Sequence, residues 1–348
     1  MGVEMLAKAD VRPARRRSLA EDARAFAGSA ALSNHACVAA LSASQKNARA
    51  EVVAKAFPKT APPALADDFM GRAAAAFAAR GLSRDTTIAL TAMCRDEACA
   101  GMRELVEEHY GQSFHAHSLG GAITLGKVGM GAFMHHSPTE GGPGGRERYA
   151  FISMAHCAVD SSGKVGAMQR EGRHECSSGC GALLGALGHV KGGGGDAGTP
   201  AWRKQDSLEL DRLNPEFKFL CRRVDSAMAQ PGAPNPKKIG LADMTILAAG
   251  TAREDLEELI ADCVDTKAAD YCVITGIHVH NWGPVFNTGE GDVPNLEYVI
   301  PTSCYSVVNG HRVDHNDVAF TGDAGVEGKL QALENRMMAL ERLIKSKL

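Results

Sequence analysis

The chain has 348 residues, 45% of them hydrophobic, and a net charge of −3, enough for one large domain or two ordinary ones. Its acidic and basic residues are interspersed, which argues against a nucleic-acid surface, and no apolar run approaches the ~20 residues that span a bilayer. Ten irregularly spaced cysteines, several in apolar runs (Cys221, Cys263, Cys272, Cys304), read as reduced buried thiols of an intracellular protein.

The N-terminus carries a basic cluster, Arg12, Arg15, Arg16 and Arg17, broken by Glu4, Asp10, Glu21 and Asp22. It has no apolar core for a secretory signal, and its acids are unusual for an organellar transit peptide. Residues 1–82 read as an Ala-rich helical region. Its last helix starts near Ala64, after Pro62 and Pro63, and stops at Gly81. From Thr86 strands alternate with helices, the pattern of a mostly parallel sheet. Thr87–Met93 is a buried strand, followed by a helix over 97–110. Tyr149–Ala155 is a second strand leading into His156. A β-hairpin is expected over Ala158–Arg170 with its turn at Ser161–Lys164. The Gly-rich stretches 141–145 and 190–200 read as a surface turn and a flexible loop. Helices then run to about residue 264, and Tyr271–His280 and Glu297–Val308 are two more strands. The last segment has apolar residues at Val326, Leu330, Leu333, Met337, Leu340 and Ile344, a short heptad seam or a terminal helix packed on its own domain. The expected division is an N-terminal helical region (1–82), an α/β domain (83–312) and a C-terminal helical tail (313–348). The fold class is a three-layer α/β/α with a mixed, largely parallel sheet.

Strand ends and helix starts converge on one crevice in such a sheet. Cys94 and Asp96 follow the first strand, His156 follows the second, and Cys180 opens an apparent helix. Two thiols and one imidazole leave a fourth tetrahedral position open, the pattern of a catalytic zinc. Taken singly, each residue also reads as an ordinary buried side chain. His174, close to Cys176 and Cys180, is a rival ligand; the Cys176-x3-Cys180 run also reads as a small structural zinc loop, which needs one more pair of ligands nearby.

A series of segments raises the metal reading. They are Cys94-Arg95-Asp96-Glu97, Gly131-Ala132-Phe133-Met134-His135-His136-Ser137-Pro138, Ala155-His156-Cys157-Ala158-Val159 and Gly163-Lys164-Val165-Gly166. After these come Arg170-Glu171-Gly172-Arg173, Cys180-Gly181-Ala182-Leu183, Tyr271 to Trp282, and Asn295-Leu296-Glu297-Tyr298-Val299. Together, over about residues 60–312, they resemble the limiting-CO2-inducible B/C family of algal CO2-concentrating systems, also called theta-class carbonic anhydrases. That family is similar to β-carbonic anhydrases.

The resemblance implies a β-carbonic-anhydrase-like fold, Zn2+ on Cys94, His156 and Cys180, and reversible hydration of CO2 to bicarbonate. It also implies a homodimer or higher homo-oligomer, with a homologous partner subunit conceivable, in the chloroplast or cytoplasm. The β-class arginine two residues after the aspartate is Ala98 here. The partner of Asp96 must therefore come from elsewhere; Arg170 is the expected one, with Arg95 and Arg173 as rivals. Ala155 stands where proline is expected, and Cys157 where an aliphatic residue is expected. Asp96 and Arg170 are the expected catalytic pair. Gly129, Gly131 and Ala132 are candidates to shape a CO2 pocket or to allow close packing. His115, His117, His135 and His136 are candidate proton relays or surface histidines. The alternatives are a catalytically silent or gated zinc protein acting as a CO2/bicarbonate-responsive scaffold, and a cysteine or metal hydrolase, which lacks a nucleophile-elbow motif.

Overall fold

The computed structural model describes residues 43–139, 145–170, 173, 175–194, 215–283 and 295–317. In chain order these form α1 (Ala43–Ala56), β1 (Ala64–Leu65), α2 (Ala66–Ala78), β2 (Ile88–Met93), α3 (Ala100–Tyr110), β3 (Ser113–His115), α4 (Gly126–Met134) and β4 (Glu147–Asp160). There follow β5 (Ala167–Met168), β6 (Ser177–Ser178), α5 (Gly181–His189), α6 (Pro215–Met228), α7 (Leu241–Cys263), β7 (Ala269–Trp282), β8 (Leu296–Val308) and β9 (His311–Asp314).

A seven-stranded sheet runs β1-β8-β7-β4-β2-β3, with β9 also on β8. The pairs β2–β3, β2–β4 and β4–β7 are parallel, and every pair involving β8 is antiparallel. The sheet is therefore mixed and largely parallel at its centre, as expected. β4 and β7 are buried along almost their whole length, which is why they read as unbroken apolar runs.

Alternation along the strands splits the core into two layers. Leu90, Tyr149, Phe151, Tyr271 and Val273 face α4 and α7 and pack with Phe133, Leu256 and Ile260. Fully buried Phe133 and Phe151 each contribute on the order of 2 kcal/mol to that layer. The opposite face meets α3, where the Tyr110 hydroxyl lies 3.9 Å from Cys272 Sγ. α2 sits against β8 and α3.

Two local details differ from the sequence pattern. Ala64 and Leu65 are not helical; they pair with Val299 and Tyr298, so the helix begins at Ala66. It ends in a Schellman motif, with Leu82 N–H on Phe77 O and Gly81 N–H on Ala78 O. The hairpin turn after Asp160 forms as expected, held by Ser162 and Lys164 N–H on Asp160 Oδ1. Its returning arm then leaves β4, and β5 pairs with β6 instead. Residues 190–194 make a π-helical turn, and the rest of the 190–200 loop lies outside the described residues. So do the N-terminal basic cluster, residues 141–144 and the heptad seam. Among the described residues no helix is long and apolar enough to cross a membrane.

Candidate metal centre

Cys94 is delivered by the end of β2. The chain there is pinned by Ser118 N–H on Met93 O and Arg95 N–H on Ser118 O. His156 lies inside β4 and is wholly buried. Its neighbour Cys157 points to the other face, beside Thr245 of α7, and burial pushes its thiol up to about 11. Cys180 comes from a separate segment that passes tightly over β4. A Cβ at Gly179 would stand 2.4 Å from Ala158 Cβ and 2.8 Å from its backbone nitrogen, so only glycine permits this approach. Cys180 is then the N-cap of α5, where the helix dipole and free N–H groups favour a thiolate.

The three donor atoms lie within 4.8 Å of one another, and all three residues are buried. The two sulfurs are 4.0 Å apart. Two thiolates on one tetrahedral zinc at about 2.3 Å would stand roughly 3.8 Å apart. His156 Nε2 is buried with no hydrogen-bond partner, while Nδ1 lies 3.0 Å from His280 Nε2. The hydrogen bond from Cys180 brings the Cys94 thiol down to about 4 against its burial, and His156 adds to the effect. The same bond, with burial, pushes Cys180 up. Two sulfurs in contact thus stand beside a buried imidazole nitrogen. Such a donor set fits a divalent soft metal.

Asp96 caps the short 3-10 turn Glu97–Cys99, its Oδ1 accepting from Ala98 N–H at 3.1 Å. Arg170 grips the same carboxylate with a fork, Nη1 to Oδ1 and Nη2 to Oδ2, both at 2.9 Å. It also bonds Glu97, the Ser177 hydroxyl and the Ser178 carbonyl. Burial raises the Asp96 pKa, but Arg170 and the Ala98 N–H outweigh it and hold the carboxyl below its ordinary value. The other arginines are elsewhere. Arg95 makes a fork to Glu216, which also accepts Leu119 N–H, and Arg173 is exposed. His174 lies outside the described residues.

The candidate relays have other neighbours. His115 bonds Glu107, His117 bonds Thr91 and His136 lies against Phe114. Burial brings His117 down to about 4. Gly129, Gly131 and Ala132 sit in α4, whose Phe133 packs on Tyr149 and Phe151. That is the end of β4 away from His156, so these residues stand apart from the three donors; a Cβ at Gly131 would meet nothing within 4 Å and Ala132 is exposed, so neither serves close packing at the sheet.

Sequence reasoning assigned no role to His278, His280 and Glu297, which stand immediately behind His156. Their signal was available: a His-x-His pair in a strand that is otherwise apolar puts two imidazoles on one buried face.

The family model for limiting CO2-inducible proteins B/C beta carbonic anhydrases matches residues 64–308. The chain belongs to this family. The crystal structure of limiting CO2-inducible protein LCIB is 34% identical, with a TM-score of 0.58, covering 75% of this chain and 95% of that one. The crystal structure of PtLCIB4, a homolog of LCIB, is 17% identical with a TM-score of 0.56, covering 76% of this chain and 98% of that one, and bears on the fold alone. No curated protein sequence matches the chain. For a limiting CO2-inducible B/C chain, Ala98 is now accounted for. Its backbone N–H supports Asp96 while Arg170 brings the cation from the β5–β6 ribbon.

Proposed function

We propose that this chain is a zinc carbonic anhydrase that interconverts CO2 and bicarbonate, working as a homodimer. The observation that carries the reading is the convergence of Cys94, His156 and Cys180, with the unpartnered His156 Nε2, beside an aspartate clamped by Arg170. Cys94, His156 and Cys180 would hold the metal. Zinc in such a site supplies Lewis acidity that makes a water nucleophilic near neutral pH.

The chain's own residues then position and exclude. Asp96 lies two residues past Cys94, ionised and locked by two charge-assisted bonds from Arg170, so it can accept a hydrogen bond from the attacking water and aim it at CO2. Ala98 N–H stops the carboxylate from rotating. The burial of all three donor residues keeps bulk water off the donor atoms and strengthens electrostatics around them. The Arg170 clamp favours an enzyme over a silent CO2/bicarbonate-responsive scaffold, because it occupies both Asp96 oxygens and so competes with any swing of the carboxylate onto the metal.

Elemental analysis with stopped-flow CO2 hydration tests the reading. One zinc per chain is expected, lost in Cys94→Ala, His156→Ala and Cys180→Ala, with catalysis in the zinc-loaded parent. Full zinc in His156→Ala with loss in His174→Ala would move the ligand. Zinc-loaded protein without catalysis would leave the scaffold reading.

A further inference from the structure

Behind His156 lies a line of buried polar groups that the proposed ligand set does not use. His156 Nδ1 is 3.0 Å from His280 Nε2, and His280 Nδ1 is 2.8 Å from Glu297 Oε2. His278 Nε2 lies 2.7 Å from that same oxygen, off the hydrogen-bonding direction, and its Nδ1 has no partner. His278 and His280 are 1% exposed. Cys99, His278 and His280 also bring donor atoms within 4.8 Å of one another, so a second metal is a rival reading of this cluster.

The strand geometry brings Glu297 here deliberately. Between Tyr271 and Thr275, β7 and β8 pair in one register, Thr275 opposite Ser303. At Gly276 the register slips by one residue, so that His278 faces Val299 and His280 faces Glu297. Without this bulge Glu297 would point to the other side of the sheet, since one residue of slip exchanges the two faces. The bulge needs glycine: a Cβ at Gly276 would stand 2.6 Å from Ile300 O.

Resting on the metal reading above, we propose that Glu297 and His280 are positioning residues that fix His156 in the tautomer presenting Nε2 to the metal. Proton placement follows from one end of the chain to the other. A ligating Nε2 carries no hydrogen, so His156 Nδ1–H donates to His280 Nε2. His280 then carries its hydrogen on Nδ1 and donates it to the Glu297 carboxylate. Each nitrogen is used once, and the chain ends on an anion, the usual support of a metal-binding histidine. The same count disfavours a second metal. His280 Nε2 accepts and its Nδ1 donates, so neither nitrogen has a lone pair left for Cys99 and His278 to share a metal with.

Zinc affinity, read by competition with a chromogenic chelator on the full chain, tests this without using catalysis. His280→Ala should weaken zinc by about 10–100-fold, the effect of losing an outer-shell partner. His280→Gln should recover most of it, because an amide offers the same acceptor and donor. In the parent, long-range nitrogen–proton NMR of the His156 ring should find the proton on Nδ1, which requires no variant to fold. Zinc that depends on Cys94 but is unchanged in His280→Ala overturns the inference and leaves the metal reading standing. A proton on His156 Nε2 in the zinc-loaded parent, or two zincs per chain with one lost in Cys99→Ala, also overturns it. Zinc that is indifferent to Cys94 overturns both.

Discussion

Removing Arg170 separates orientation from metal binding. Its side chain is 17% exposed and that of Asp96 is 13% exposed, so the pair is shielded but not sealed. Arg170→Ala deletes both bonds to Asp96 and those to Ser177 Oγ and Ser178 O, leaving Asp96 with Ala98 N–H. Hydrogen bonds to charged groups are each worth about 1.5–3 kcal/mol, and these act as one unit with some solvent access, so a loss of about 2–4 kcal/mol in stability is expected. The bond to Glu97 adds little, because that carboxylate is 76% exposed. An aligned acid–base group is worth about 10²–10⁴ in rate, so kcat should fall about 100-fold, partly through a freed Asp96 competing for the open position beside Cys94. Arg170→Lys should recover little, since a point charge cannot span both carboxylate oxygens. Stopped-flow hydration, zinc content and urea unfolding are measured on the same samples. Near-parental turnover with zinc retained would refute the clamp, and loss of zinc would show that Arg170 acts on the ligand set instead.

Gly179→Ala should shift the Cys180 segment off Ala158, costing about 1–3 kcal/mol as overpacking and weakening zinc binding; urea unfolding and chelator competition check it. Asp270 accepts from Arg146 at 2.6 and 3.1 Å and from Asn309 N–H, with its side chain 4% exposed, so Asp270→Ala should cost about 3–5 kcal/mol by breaking a buried pair. Burial raises its pKa, but Arg146 and Asn309 lower it further than burial raises it, so this stability is present above the unfolded value of about 3.9 and lost as pH falls through the lower folded one. The gap between parent and Asp270→Asn in urea should therefore be wide at neutral pH and shrink in strong acid. Light scattering should give the mass of two chains, and a monomer at micromolar concentration would remove the dimer.

The parts of this molecule that could be read from the chain are those written in one stretch of residues. β4 and β7 announce themselves because strands buried on both faces carry no polar alternation, and Cys94 at the end of β2 and Cys180 at the start of α5 stand where a parallel sheet places ligands, whereas His156 lies inside β4, which runs on to Asp160 instead of ending at Ala155. The pairing of Ala64 and Leu65 with β8 was invisible, since two residues ahead of an Ala-rich helix have no strand signature of their own. Arg170 was reached through resemblance rather than spacing: it stands 74 positions after Asp96, and nothing in the intervening sequence predicts a fork.

Glu297 was the hardest to see, and for a definite reason. Which face a strand residue takes depends on every residue of register before it, and here the register changes at Gly276. A reader counting alternate positions from Cys304 backwards puts Glu297 on the side away from the histidines. Only the slip at the bulge brings it to His280, and with it the anion that ends the proposed chain from His156. The donor atoms of this site are therefore local properties of the sequence, while their support belongs to the sheet. Substitutions at Gly276 should accordingly impair metal binding through the register of β8, although that residue offers no ligand atom.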